Sequence, residues 1–400
     1  MISYQEALAT ISKYPFEPKS GHLKLGEING HILNEDLYAD RDFPPYDRVT
    51  MDGISINYEA FDKGQRSFEI EKTIGAGMPQ SSLEDTAKCV QIMTGAMLPL
   101  NADTIIRYED ITIEDDIATI NVDTVKPRQN VHFKGEDKKQ GDVVLPKGTV
   151  LGAPEMIIAA SIGKPTLEVL LPPKAAIITT GDELVSIDET PLDHQIRRSS
   201  NYGVQDLLKQ WNVGAKQYHI NDDKQLIMNK LSSIISTVDL LVLTGGVSRG
   251  KFDFLPEVLE ELGVVKHFHK VKQRPGKPFW FGTAPNGSTV FALPGNPVST
   301  FACANVYIKQ WLTKSLGIND QTIYVKLNQD IDFAPPLTYF LECRAEFSSS
   351  GELEATPFRG HGSGDFANMS QANGFVILPS DKLEFKKGEV YPYILYRKDF

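Results

Sequence analysis

Val238-Asp239-Leu240-Leu241-Val242-Leu243-Thr244-Gly245-Gly246-Val247-Ser248-Arg249-Gly250 is the stretch whose reading decides the fold. An apolar run of Val and Leu stops abruptly at Thr-Gly-Gly. A short run of this kind, closed by glycines, reads as a buried strand of a parallel sheet. In an open α/β sheet, ligands bind in the crevice outside the carboxyl ends of the strands. Glycine lets the main chain approach closely there, so backbone N–H groups can face an anion. Thr244, Gly245, Gly246, Val247 and Ser248 are therefore a candidate anion cradle.

Outward from this strand the chain alternates. Apolar runs at 175–180, 217–220, 266–271 and 288–293 read as strands, and residues 201–211, 224–236, 254–262 and 298–312 as helices. Alternating βα units give a mostly parallel sheet with helices on both faces. Upstream, residues 3–14 form an amphipathic helix, with Ser3 as N-cap and Glu6 three residues on. Residues 23–33 read as a strand and a short helix, and Pro44-Pro45 marks a junction. Residues 48–130 break into short alternating segments, with a hairpin signature at Asp115-Asp116. A helix over 151–163 follows, so this β-rich insert is flanked by two pieces of one domain. Beyond Gly317 the pattern is strands and turns only. The expected architecture is multidomain α/β and β. An elongated N-terminal domain takes 1–45 plus 131–172, and a β-rich insert takes 46–130. An α/β domain takes 173–317 and an all-β domain 318–400.

At 400 residues, roughly two to four domains are expected. The formal net charge of -11 argues against a general nucleic-acid binder, while leaving room for a local basic pocket. No apolar stretch approaches the roughly 20 residues of a spanning helix, and no signal peptide is visible. Cys89, Cys303 and Cys343 are scattered, with neither metal-ligand spacing nor a disulfide pattern. A cytoplasmic location is expected.

Four strand-ending turns should converge on one edge: Thr180-Gly181-Asp182-Glu183, Asn221-Asp222-Asp223, Thr244-Gly245-Gly246-Val247-Ser248, and Leu293-Pro294-Gly295-Asn296-Pro297-Val298-Ser299. One glycine turn is unremarkable, but four at strand ends suit a phosphate, especially where Ser299 opens a helix. Asp182, Glu183, Asp222, Asp223 and Asp253 share the edge. A lone loop Asp is usually a cap, whereas carboxylates clustered beside an anion site point to a divalent cation, here Mg²⁺. Arg274 and Lys277 bracket a Pro-Gly turn and are candidate anion ligands. Met51-Asp52-Gly53, Met93-Thr94-Gly95 and Gly135-Glu136-Asp137 are individually ordinary turns. No Walker loop, catalytic Ser-His-acid set or cysteine metal site is present.

Taken in order, Pro44-Pro45-Tyr46-Asp47, Met51-Asp52-Gly53, Met93-Thr94-Gly95-Ala96, Gly135-Glu136-Asp137, Thr180-Gly181-Asp182-Glu183, Ser200-Asn201, Gly245-Gly246-Val247-Ser248, Pro275-Gly276-Lys277-Pro278 and Leu293-Pro294-Gly295-Asn296-Pro297 make the chain resemble the MoeA family of molybdopterin molybdenumtransferases, which includes the E domain of gephyrin. The resemblance spans essentially the whole chain. It implies a homodimer of four-domain subunits that joins molybdate to adenylylated molybdopterin and releases AMP with Mg²⁺. It further implies an active site near the subunit interface, where Asp52 and Thr94 of one subunit face the α/β domain of the other. Carried over by position, Asp52, Thr94, Glu183, Asp222, Asp253 and Lys277 are implied catalytic residues, and Glu183, Asp222 and Asp253 the metal set. Thr180, Gly181, Asp182, Ser200, Asn201, residues 244–248, Arg274, Pro294, Gly295, Asn296 and Ser299 are implied to hold the pterin nucleotide. Arg344 and Ser363 are looser matches to a basic and a hydroxyl position. Two departures stand out. Arg198-Ser199-Ser200-Asn201 has a base where many members have an acid, and Arg274 stands where Lys is common. An adenylyltransferase-like pterin-binding enzyme and a non-catalytic pterin-binding scaffold are the alternatives; the acid cluster argues against the scaffold.

Overall fold

The computed structural model describes residues 1–247, 254–319, 321–358 and 366–397. Its contacts divide into two units: Met1–His22 with Gly30–Ile32 and Glu168–Phe400, and Leu23–Asn29 with Leu33–Leu167.

Helix α1 (Tyr4–Ile11) opens the first unit. Ser3 Oγ accepts from Glu6 N at 3.2 Å, while Ser3 N donates to Glu6 Oε2 at 2.7 Å, the reciprocal capping box.

The second unit centres on a six-stranded sheet. Its strands are β1 (Gly53–Ile56), β2 (Ser67–Ile74), β3 (Cys89–Ile92), β4 (Thr104–Arg107), β5 (Ile111–Glu114) and β6 (Ile117–Ile120), in the order β4-β1-β3-β2-β6-β5. Short helix α2 (Tyr58–Asp62) joins β1 to β2. The expected hairpin is present: Asp115 and Asp116 both have positive φ and pair Glu114 with Ile117, as a two-residue turn requires. The helix expected over 151–163 forms as α3 (Ala153–Ser161).

In the first unit, β7 (Ala175–Thr180), β8 (Ala215–Ile220), β9 (Leu240–Thr244), β10 (Val265–His269), β12 (Trp280–Thr283) and β13 (Thr289–Leu293) form one sheet in the order β8-β7-β9-β13-β12-β10. β8, β7, β9 and β13 run parallel. β12 and β10 complete it as an antiparallel edge, with β12 on a stretch that the sequence pattern left unassigned. Strand alternation sorts the core. Ala175, Ile177, Leu240, Val242, Phe291 and Leu293 face α1, α4 (Ser200–Gln210), α7 (Pro297–Cys303) and α8 (Lys309–Ser315). Ala176, Ile178, Leu241, Leu243, Val290 and Ala292 face α5 (Lys224–Ile235) and α6 (Leu255–Glu261). The long helix expected over 298–312 is continuous, but residues Ala304–Ile308 form a π segment between α7 and α8.

The C-terminal strands β14 (Ile323–Leu327), β15 (Thr338–Phe347), β16 (Leu353–Pro357), β17 (Gly374–Leu378) and β18 (Val390–Leu395) close into a small barrel, because β15 pairs with both β16 and β17 while β14 bridges β16 and β18. One short strand, β11 (Gln273–Arg274), leaves the α/β sheet and pairs in parallel with β15.

Ile177 is fully buried in the second strand of the sheet. Ile177→Ala is expected to lower the stability of the intact chain by about 2–5 kcal/mol, read as a reduced midpoint in chemical denaturation followed by tryptophan fluorescence.

Candidate functional site

Strand register lines up the turns. Thr179 of β7 lies opposite His219 of β8 and Thr244 of β9, and Thr244 lies opposite Leu293 of β13. The four loops that follow therefore leave the sheet from one row. Together with the ribbon made by Leu184–Val185 and Ile196–Arg197 and the turn after β11, they line a cavity of about 1020 Å³. Of the expected site residues, Thr180, Gly181, Glu183, Ser200, Asp222, Thr244, Gly245, Gly246, Val247, Arg274, Lys277, Pro294, Gly295, Asn296 and Ser299 line it.

The glycine loop is tight by necessity. Gly246 has φ +62°, and a Cβ there would meet Leu255 Cδ1 and Thr180 Oγ1 at 2.8 Å each. Gly181 has φ +143°, and the Glu183 carboxylate folds over it, with Oε2 2.6 Å from where a Cβ would stand. Thr244 Oγ1 donates to Thr179 Oγ1 at 3.0 Å across the strand ends. Thr180 is only 3% exposed, and its hydroxyl has no hydrogen-bond partner among the described residues. At the next strand end, Asn296 caps α7 by accepting from Ser299 N at 3.2 Å.

Asp222 and Asp223, inseparable by sequence, take different tasks. Asp223 caps α5, its Oδ1 accepting from Leu226 N at 2.8 Å, while Asp222 reaches the cavity. Asp182 does not line it; its Oδ1 accepts from Asp222 N at 3.0 Å and ties the two acidic loops together. His219 accompanies them. Its Nδ1 donates to Thr179 O at 3.1 Å, and burial, then the charge of Arg198, hold its pKa below the usual histidine value.

The Arg274-Pro275-Gly276-Lys277 turn is braced from beneath. Buried Gln273 donates from Nε2 to Gly276 O at 3.1 Å and accepts from the Tyr307 hydroxyl through Oε1. Tyr307 stands in the π segment, and its burial drives its hydroxyl pKa well up, so it stays a neutral donor. Neither Gln273 nor Tyr307 was legible as a site residue, since both look like ordinary core and strand residues. Arg197, Arg198, Ser199 and Thr179 also line the cavity and were not among the expected ligands.

Asn201 is buried inside α4, with Nδ2 donating to Gln217 Oε1 at 2.6 Å; it packs the helix on β8 instead of facing the cavity. In the other unit, Asp52 and Thr94 meet. Asp52 Oδ1 accepts from Thr94 N at 2.6 Å, and the Thr94 amide and hydroxyl together hold the Asp52 carboxyl below its ordinary pKa. Asp137 there accepts from His132 Nε2 at 3.0 Å, and Arg48 Nη2 donates to His132 Nδ1 at 3.1 Å. Arg344 donates to Glu346 at 2.7 Å. Ser248, Asp253 and Ser363 lie outside the described residues.

Three family profiles cover nearly the whole chain: the MoeA N-terminal region (domain I and II) over residues 2–163, a probable molybdopterin binding domain over 176–314, and the MoeA C-terminal region (domain IV) over 324–396. The molybdopterin molybdenumtransferase of Synechocystis sp. is 38% identical over 367 residues, spanning 91% of this chain and 92% of that protein. This chain belongs to the MoeA family of molybdopterin molybdenumtransferases. The Staphylococcus epidermidis member is 31% identical and spans 98% of this chain and 95% of its own length. The crystal structure of the molybdopterin biosynthesis MoeA protein from Pyrococcus horikoshii superposes with a TM-score of 0.83 at 26% identity, covering 99% of this chain and all of that one. All but one of the residues lining the cavity fall within the stretch matched by the molybdopterin binding domain, Leu337 being the exception.

Two substitutions separate scaffold from site in this member of the MoeA family. Asp223→Ala removes a helix cap and is expected to cost about 1 kcal/mol of stability with ligand affinity unchanged, by thermal denaturation and calorimetric titration. Gly246→Ala forces a side chain against Leu255 and Thr180. It is expected to cost roughly 1–3 kcal/mol and to weaken ligand binding severalfold in the same titration.

Proposed function

We propose that this chain joins molybdate to adenylylated molybdopterin, releasing AMP and yielding the molybdenum cofactor. One observation carries the reading: a single sheet edge combines a glycine anion cradle, two carboxylates and the Arg274–Lys277 turn around one cavity. Its volume stands at the upper end for small-molecule sites, which run to roughly 1,000 Å³, and suits a ligand built of a pterin and a nucleotide.

The residue types fit Mg²⁺. Mg²⁺ is held by one or two carboxylates and completes its shell with phosphate oxygens and water. Glu183 and Asp222 come from neighbouring loops as such a pair, and among the described residues no group of three His, Cys, Asp or Glu forms an all-protein cage. Glu183 and Asp222, with Asp253, would hold the ion, which would supply charge neutralisation at the pyrophosphate.

The protein's own groups divide the remaining work. Amides of Gly246 and Val247 cradle phosphate oxygens, while Gly245 N donates to Leu293 O at 3.2 Å and ties the loop to β13. Arg274 and Lys277, held by the Gln273–Tyr307 brace, pair with the anionic charge at the other end. Ser200 and Ser299 offer polar contacts from two helix N-termini, and Asp182 keeps Asp222 in place. Asp52, kept ionised by Thr94, is proposed to enter from a second subunit of a homodimer. The four-part division 1–45 plus 131–172, 46–130, 173–317 and 318–400 belongs to the same proposal. All three cysteines are buried and free, which supports work in the reducing cytoplasm. Among the described residues no helix is long and apolar enough to cross a membrane.

The test is molybdate-dependent AMP release from adenylylated molybdopterin. Glu183→Gln and Asp222→Asn are each expected to lower turnover by about a hundredfold or more with the melting temperature unchanged, and chelation of Mg²⁺ to abolish it in wild type. Wild-type turnover by both variants would refute the carboxylate roles. Absence of AMP release from wild type under all divalent ions would refute the reaction.

A further inference from the structure

The cavity lies in a chain of net charge -11, yet its described lining has four cations, Arg197, Arg198, Arg274 and Lys277, against two carboxylates, Glu183 and Asp222. The cations come in two groups from different parts of the sheet. Arg274 and Lys277 belong to the turn that precedes β12. Arg197 and Arg198 end the ribbon that follows β7. Between β7 and β12 lie three strand spacings of about 4.8 Å, so the two groups start from strand ends roughly 14 Å apart. That separation exceeds the span of a single phosphate or oxyanion. The cavity therefore carries cations at two ends, with Arg197 and Arg198 sharing theirs with Glu183 and Asp222.

Arg197 has its Nε committed to Glu189 O at 3.0 Å and is exposed. Arg198 is different. It is partly buried, its backbone N and its Nε both reach Val185 O, at 3.0 and 3.3 Å, and among the described residues it forms no ion pair. The guanidinium is thus anchored on one side through Nε, and Asp188 is held below its ordinary pKa by hydrogen bonding from Ser186 and also by the charge of Arg198; the two Nη groups donate no hydrogen bond among the described residues. Its charge extends to partly buried His219, on the sheet side, where it adds to desolvation in depressing that histidine's pKa. Immediately after it, Ser199 begins α4 without a side-chain cap, leaving the first amides of an 11-residue helix uncapped by that hydroxyl. Independently, Thr180 Oγ1, 3% exposed and unpartnered, lies against Gly246 at the same end of the cavity. A buried hydroxyl without a partner is costly unless a ligand completes it.

We infer that Arg198 is a specificity-determining anchor for the 5′-phosphate of the adenylate half of the substrate, with Thr180 Oγ1 as its neutral partner. The pterin-side anion and the incoming oxyanion fall to Arg274 and Lys277. A planar guanidinium takes two phosphate oxygens at once, which a point charge cannot. This assignment rests on the function proposed above. The carboxylates alone would repel an adenylate, and an arginine lining the same cavity offsets that repulsion.

The experiment is calorimetric titration of the full-length protein with AMP in the presence of Mg²⁺, and separately with molybdate. Arg198→Ala is expected to weaken AMP binding about ten- to a hundredfold while molybdate affinity stays within about twofold, well inside one tenfold step. Arg198→Lys keeps the charge but loses the fork and is expected to fall between the two. Added guanidinium ion at low millimolar concentration is expected to restore part of the AMP affinity of Arg198→Ala, which a merely structural defect would not allow. AMP affinity unchanged in Arg198→Ala, or a loss confined to molybdate, would overturn the assignment. Wild-type protein that binds molybdate but no AMP would overturn the adenylate reading of the site itself, and the role of Arg198 with it.

Discussion

Parallel hydrogen bonding among β8, β7, β9 and β13 is the constraint on which the rest of the site depends. The ladder sets Thr179, His219, Thr244 and Leu293 in one row. Every loop that leaves that row begins at the same height above the sheet, so residues more than a hundred positions apart in the chain line one cavity. A slip of one residue in any pairing would exchange the two faces of that strand. Ile177 and Val242 would then trade places with Ile178 and Leu243 across two separate cores. The burial that holds the fold and the alignment that builds the site are thus the same set of contacts.

The basic turn shows how packing places charge in an acidic protein. Arg274 and Lys277 would be two more surface cations if the chain around them were loose. Gln273 is buried beneath them and spends its amide on Gly276 O and the Tyr307 hydroxyl. A π segment at Ala304–Ile308 is what sets Tyr307 at that point of the helix. Such segments often mark functional positions, and here the extra residue turns a core tyrosine into a support. β11 is held from the other side by pairing with β15 of the barrel. The turn is therefore fixed by the α/β core and the barrel together.

The acids illustrate division of labour by hydrogen bonding. Three consecutive polar residues leave β8, and only one reaches the cavity. Asp223 accepts from the Leu226 amide of α5, and Asp182 from the Asp222 amide. Glu183 and Asp222, which line the cavity, are a pair small enough to coexist near an anion when a cation and arginines are at hand. In the other unit, the Thr94 amide and hydroxyl engage Asp52 and hold its carboxyl below its ordinary pKa.

Much of this was legible in the order of residues. Apolar runs ended by glycine, the spacing of βα units and the Asp115-Asp116 turn are local consequences of backbone sterics and burial, so periodicity alone revealed the parallel sheet, the hairpin and the strand-end loops. The ordered motifs also pointed to the family. Local sequence does not carry partner identity. Which of Asp222 and Asp223 is a cap, that Asn201 packs against Gln217, that β12 runs antiparallel and that Tyr307 supports the basic turn all depend on atoms brought together from distant segments. The same is true of Arg198, which in sequence is one base before a helix. Only the fold shows it lining the same cavity as a buried Thr180 hydroxyl that has no partner among the described residues, because a side chain's role is decided by what lies opposite it, and that is a property of tertiary structure.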